Sequence, residues 1–109
     1  MGARTILLLL AATLVVSACD RTRRVLYDGE FFRPVSAKVG DDRRDFAVRV
    51  RPATGSVRGA GEAALHEGAR YCIENFGRSD IEWAVDPVRN PGAAPIEGDR
   101  RVFAGRCLR

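Results

Sequence analysis

Three segments of the chain alternate between apolar and polar residues, which is the period of strands that bury one face. In residues 46–51, a phenylalanine and two valines alternate with alanine and arginine. Residues 81–85 and 101–107 alternate in a similar way, with Trp83 and Phe103 at inward positions. The pattern therefore predicts three β-strands, each with one face directed to a core.

A helical period replaces the alternation over residues 61–76. Apolar residues recur there at spacings of four, three and four, which places them in one stripe: Leu65, Ala69, Cys72 and Phe76. Glu67, Arg70 and Glu74 are assigned to the polar side, at spacings that allow ion pairs. Gly77 suits a left-handed C-cap, so the helix is expected to end at residue 76.

Turn residues predict how the remaining segments connect. Asp28-Gly29 between apolar residues predicts a tight hairpin. Residues 31–39 can form a strand, which Pro34 restricts to a sheet edge or a bulge. Residues 53–61 read as a loop of small residues in which Ser56 is a candidate N-cap. The expected fold is α+β: an antiparallel sheet of four or five strands with one helix on one face, in the order ββ-α-ββ.

The N-terminal segment has the pattern of a secretory signal peptide. A polar start with one positive charge, Arg4, precedes the apolar run 6–16 and the small pair Ser17-Ala18. The run is too short for a transmembrane helix, which needs about 20 apolar residues. We therefore expect residues 1–18 to be removed and residues 25–109 to form a single small domain.

The residues Val16-Ser17-Ala18-Cys19 resemble the lipobox of bacterial lipoproteins. This resemblance implies cleavage before Cys19, diacylglycerol on its sulfur and acylation of the new N-terminus, so membrane lipid is the first expected partner. An ordinary signal peptide with an incidental cysteine is the alternative. Asp20 resembles a signal that retains lipoproteins in the inner membrane, which slightly favours that membrane over the outer one.

Residues 19–24 are predicted to be the lipidated tether. Three arginines follow the anchor at once: Arg21, Arg23 and Arg24. Held near a bilayer, each basic side chain can gain about 1 kcal/mol from anionic headgroups. A solvated polar tether is the alternative, and the two interpretations are compatible.

The two remaining cysteines form an even pair in an exported chain, where disulfides persist. We therefore predict a bond between Cys72 and Cys107, worth about 3–4 kcal/mol of unfolding free energy. Two buried free thiols are the alternative. A metal site is not expected, because His66 is the only histidine and further ligands are missing.

Composition argues against several function classes. The net charge is +4, and basic and acidic residues are interleaved, so no nucleic-acid-binding stripe is present and no nucleic acid partner is expected. No catalytic residue, nucleophile motif or phosphate-binding loop stands out, and no cofactor is expected. The chain is therefore predicted not to be an enzyme.

Adjacent aromatic residues mark one candidate surface. Phe31 and Phe32 must face opposite ways if the chain is extended, so one of them is expected outside the main core. The corner Tyr27–Phe32 is therefore a candidate partner patch, with Tyr27, Phe31 and Phe32 as its residues. A local cluster beneath the N-terminal segment is the slightly favoured alternative.

The mature chain also resembles small proteobacterial envelope lipoproteins of unassigned activity. The resemblance is carried by these segments: Tyr27-Asp28-Gly29, Phe31-Phe32-Arg33, Tyr71-Cys72-Ile73, Ser79–Trp83 and Gly105-Arg106-Cys107. It implies a membrane-anchored, disulfide-bonded domain in the cell envelope, facing the periplasm. The expected function is structural or protein-interacting, with an envelope protein as a second partner. A periplasmic binding module for a small molecule, lipid or glycan is the alternative.

Overall fold

A computed structural model describes residues 25–108 and confirms the α+β architecture. The helix α1 lies between four N-terminal and three C-terminal strands. The elements in chain order are β1 (Leu26–Tyr27), β2 (Glu30–Phe31), β3 (Arg33–Lys38), β4 (Asp45–Arg51), α1 (Val57–Phe76), β5 (Ile81–Trp83), β6 (Ile96–Glu97) and β7 (Arg100–Cys107). A short 3-10 helix, Pro91–Ala93, interrupts the loop after β5.

Five of the described strands form one antiparallel sheet: four follow the order β3-β4-β7-β5, and the fifth, β6, pairs with β7 beside this path. The edge position predicted for the strand containing Pro34 is confirmed, since β3 pairs only with β4. Strand β6 pairs with the start of β7 and was not predicted; it is only two residues long. Strands β1 and β2 form a separate hairpin around Asp28-Gly29, as the turn residues predicted.

The helix begins at Val57, four residues before the predicted start, and ends at Phe76 as expected. Ser56 is its N-cap: the hydroxyl Oγ accepts a hydrogen bond from the backbone N–H of Gly59 at 3.1 Å. Gly77 adopts the left-handed conformation, and its N–H donates to the Ile73 carbonyl. The early start was missed because glycines in the first turns lower helix propensity.

The buried face of α1 differs from the predicted apolar stripe. Leu65 is 39% exposed, so its assignment to the core is wrong. Small residues cover the sheet instead: Ala60, Ala63, Ala64, Gly68 and Cys72. The large aromatic rings of this core belong to the sheet: Phe46 and Phe103 are fully buried beneath the helix. A side chain at position 68 would lie only 2.5 Å from the Trp83 ring.

The predicted disulfide joins the helix to the sheet. Cys72 on α1 and Cys107 on β7 are both buried and bonded, with their Cα atoms 5.6 Å apart. Cys107 lies at the end of the central strand β7, so the bond fixes the second half of α1 over the sheet.

Candidate interaction surface

Several arginine side chains lie on the face of the sheet opposite to α1. Alternation along β4 buries Val48 and Val50 under the helix and directs Arg49 and Arg51 to the other face. Arg33 of β3 is the cross-strand partner of Arg51. Because Val50 pairs with Arg101 on β7, Arg100 lies at the level of Arg51. We call these four residues, Arg33, Arg49, Arg51 and Arg100, the arginine face.

The arginine face surrounds a shallow groove of about 430 Å³. Its floor is apolar and includes Val35, which is 63% exposed, together with Ala37. Guanidinium groups thus lie around a small apolar floor, and this combination suits an anionic ligand that also carries apolar groups.

Few acidic groups neutralise this face. The Nε of Arg49 lies 3.9 Å from a carboxylate oxygen of Glu97, and that of Arg51 lies 3.7 Å from one of Asp99. Both pairs are solvent-exposed and long, so they contribute little. Within residues 25–108, no carboxylate lies within 4.0 Å of Arg33 or Arg100. The face therefore keeps a net positive charge.

Arg101 does not belong to this face, although it is the neighbour of Arg100. It lies on the helix side and is buried, with Nη2 donating to the Ala53 carbonyl at 3.3 Å. Among the residues that the structure describes, none is a hydrogen-bond partner of its Nε. Successive residues of β7 thus place one guanidinium in the interior and the next at the open face.

The predicted aromatic patch is divided by the fold. Phe32 is buried in the core, Tyr27 is half-buried beside His66, and Phe31 is 54% exposed. The exposed ring of Phe31 adjoins the arginine face, since Phe31, Arg33 and Arg51 line one hollow of about 270 Å³. Phe31 and Arg33 also line a second hollow with Val25. Of the three predicted aromatic residues, Phe31 alone therefore forms a continuous surface with the arginine face.

The predicted lipidation site and its basic neighbours lie outside the described residues: Cys19, Arg21, Arg23 and Arg24. The point at which the chain enters the domain is nevertheless defined. Leu26 pairs with Phe31, and Phe31 is two residues before the start of β3 at Arg33. The described part of the chain therefore begins beside the arginine face.

A separate hollow of about 360 Å³ lies at the other end of the sheet, beside Phe46 and Trp83. Its one lining arginine is neutralised: Arg106 Nη1 donates to Asp45 at 2.9 Å, and Arg106 Nη2 lies 3.6 Å from Asp42. A small-molecule site needs polar groups directed at the ligand. This hollow therefore supports the small-molecule alternative less well than the arginine face supports an anionic partner.

Glu67 was predicted on the polar side of the helix, and that assignment is wrong because the residue is only 7% exposed. Ser36 of β3 donates its hydroxyl proton to Glu67 Oε1 at 2.9 Å. Arg70 donates to both carboxylate oxygens of Glu67 and also to Glu74, so the two predicted helix ion pairs are confirmed. The carboxylate thus links α1 to the edge strand.

These contacts set the charge state of Glu67. Burial raises the pKa of Glu67, but hydrogen bonds from Arg70 and Ser36 lower it, and the net pKa lies below the ordinary value of 4.5. The pKa of Tyr27 is raised by burial and by the nearby charge of Glu67. An ionised Glu67 is therefore the stable form at neutral pH.

Replacing Glu67 by glutamine is expected to lower the unfolding free energy by about 1 kcal/mol at pH 7, because charged hydrogen bonds become neutral ones. Since the folded pKa is depressed, ionised Glu67 stabilises the fold above pH 4.5 and that stabilisation is lost as pH falls through the folded pKa. The difference between wild type and Glu67→Gln should therefore shrink in acid, as measured by urea unfolding at several pH values.

Glu62→Gln on the same helix is the matched control, since Glu62 makes an exposed pair with Arg58 at 3.4 Å. It should change stability by less than about 0.5 kcal/mol at every pH. A pH-independent loss in Glu67→Gln would contradict the assigned role of the Glu67 charge.

Metal binding and membrane spanning can both be assessed for the described part of the chain. Among residues 25–108, no group of three His, Cys, Asp or Glu side chains is arranged to hold a metal ion. His66 is exposed on the helix. None of the helices within residues 25–108 has both the length and the apolar character required to cross a bilayer.

Comparison of the chain with protein-family models, with curated proteins and with solved structures gives no match.

Proposed function

We propose that this chain is a lipid-anchored domain of the cell envelope that acts through surface interactions. The observation that carries the proposal is the Cys72–Cys107 disulfide. Structural disulfides persist in oxidising compartments such as the periplasm and are rare in the cytosol. With two of the three cysteines bonded to each other, Cys19 is the cysteine left for the lipid that the lipobox resemblance implies.

The length of the tether supports the same function. Residues 19–24 span at most about 20 Å when fully extended. An acylated Cys19 would hold the domain close to the bilayer and would limit its partners to molecules at or near the membrane surface. An interaction domain benefits from this arrangement because tethering raises the local concentration of such partners.

The proposal is tested by labelling with a fatty acid in the bacterium that produces the chain. The wild-type protein should incorporate labelled palmitate and remain in the membrane fraction after a high-salt wash. Cys19→Ala should lose the label, whereas the neighbouring control Asp20→Ala should retain it. Absence of label from the wild type, or its persistence in Cys19→Ala, would refute the lipid anchor.

A further inference from the structure

The arginine face combines features that suit an anionic, partly apolar layer. Arg33, Arg51 and Arg100 lie at one level across three neighbouring strands. Their positive charges are therefore side by side on one face of the sheet. Exposed apolar residues, Val35 and Phe31, lie beside them. Surfaces that rest on bilayers pair basic groups for the headgroups with apolar and aromatic groups for the acyl boundary.

The first described strand begins close to Cys19 in sequence, so an acylated Cys19 would keep the arginine face near the bilayer. Leu26 is seven residues from Cys19 and pairs with Phe31, which adjoins Arg33. An extended segment of seven residues spans at most about 25 Å. Rotation about this short tether is therefore sufficient to bring the arginine face onto the headgroups.

The opposite end of the sheet has a different charge pattern. Arg106 is paired there with Asp45 and Asp42, and Glu82 lines the same hollow. The two ends of the same sheet thus differ in net charge, and the basic end is the one joined to the tether. An anionic surface would orient the domain accordingly.

From these observations we infer that the arginine face binds anionic phospholipid headgroups, so that the domain lies with its sheet against the membrane and its helix away from it. The inference rests on the proposed lipid anchor, because it is the anchor that brings the face to the bilayer. Each arginine near the headgroups raises the affinity for an anionic membrane about fivefold, and this effect weakens as the salt concentration increases.

Arginine footprinting of the acylated protein in nanodiscs tests this orientation directly. The nanodiscs contain phosphatidylcholine alone or phosphatidylcholine with about 30% phosphatidylglycerol, and a dicarbonyl reagent modifies accessible guanidinium groups. We expect Arg33, Arg51 and Arg100 to react about fivefold more slowly in the anionic discs. Three exposed arginines away from the face should react equally in both: Arg43, Arg78 and Arg89.

Slower reaction of both sets, or of neither, would overturn the inference. The mass of the protein in the disc reports acylation separately, so loss of the anchor and failure of the orientation are distinguished.

A pair of charge-matched variants tests binding without the anchor. The mature chain, residues 19–109, is produced with Cys19→Ser so that it carries neither the acyl groups nor the apolar run 6–16. This chain is combined with Arg33→Gln, Arg51→Gln and Arg100→Gln, or with Arg43→Gln, Arg78→Gln and Arg89→Gln. Both sets remove three positive charges. Sedimentation with vesicles of the same two compositions should show that the first set lowers the preference for anionic vesicles at least about tenfold more than the second. Equal losses would indicate a net-charge effect and would contradict a specific lipid-binding face.

Discussion

Replacing Cys72 and Cys107 together by alanine is expected to lower the free energy of unfolding by about 4 kcal/mol. The two cysteines are 35 residues apart in sequence. Cross-linking a loop of that length removes conformational entropy from the unfolded chain and raises its free energy by about 4 kcal/mol. Small domains have total stabilities of only about 5–15 kcal/mol. The disulfide is therefore expected to supply a large share of the stability of this domain.

Urea denaturation of three samples measures this contribution: the oxidised wild type, the reduced wild type and the double alanine variant. Reduction of the wild type should produce most of the loss, because it removes the cross-link and leaves both sulfur atoms in the core. The variant should be insensitive to reductant. A loss below about 1 kcal/mol on reduction would show that helix and sheet stay packed without the bond, contrary to this account.

Gly61→Ala is expected to destabilise the fold by about 2–3 kcal/mol, although alanine is the better helix former. A Cβ atom at position 61 would lie 1.9 Å from the Pro87 carbonyl oxygen and 2.9 Å from Pro91. Relief of this overlap requires displacement of the loop backbone, and overpacking of this kind commonly costs 1–3 kcal/mol. The close approach is what fixes the loop after β5 against the first turns of α1.

Gly92→Ala is the matched control, since a Cβ atom there would be 3.7 Å from its nearest neighbour. It should change the unfolding free energy by less than about 0.5 kcal/mol. Helix propensity alone predicts that Gly61→Ala would stabilise the protein by about 1 kcal/mol. Measured stabilisation would therefore refute the close packing of the helix on this loop.

The elements of the fold could be predicted where the chain provides a clear local signal. Phe46, Val48 and Val50 define β4 by alternation, Asp28-Gly29 defines the first hairpin, and Gly77 marks the helix end. The cysteine pair could also be predicted, because only two cysteines remain once Cys19 is assigned to the signal.

The buried face of the helix could not be predicted in the same way. Periodicity selects the largest apolar side chains, so it chose Leu65 rather than the small residues that face the sheet. In this core the large buried side chains, Phe46 and Phe103, are on the sheet. The residues of the helix that pack on them are small. Glu67 was missed for a related reason, because its partner Ser36 is 31 residues away.

The arginine face was beyond sequence analysis because its residues are far apart along the chain. Alternation did indicate that Arg49 and Arg51 point away from the core, which is the one signal available. Strand register brings Arg33 beside Arg51 and places Arg100 next to it. Without that register, seventeen arginines among interleaved acidic residues give no indication of which ones lie together.

The most direct test of a lipid-anchored, disulfide-bonded domain is the intact mass of the protein purified from the membranes of its own host, before and after reduction. The account predicts a mass equal to Cys19–Arg109 plus its acyl groups, increasing by two hydrogens on reduction as the Cys72–Cys107 bond opens. An unacylated chain that retains Met1 and gains no mass on reduction would contradict both the anchor and the exported location.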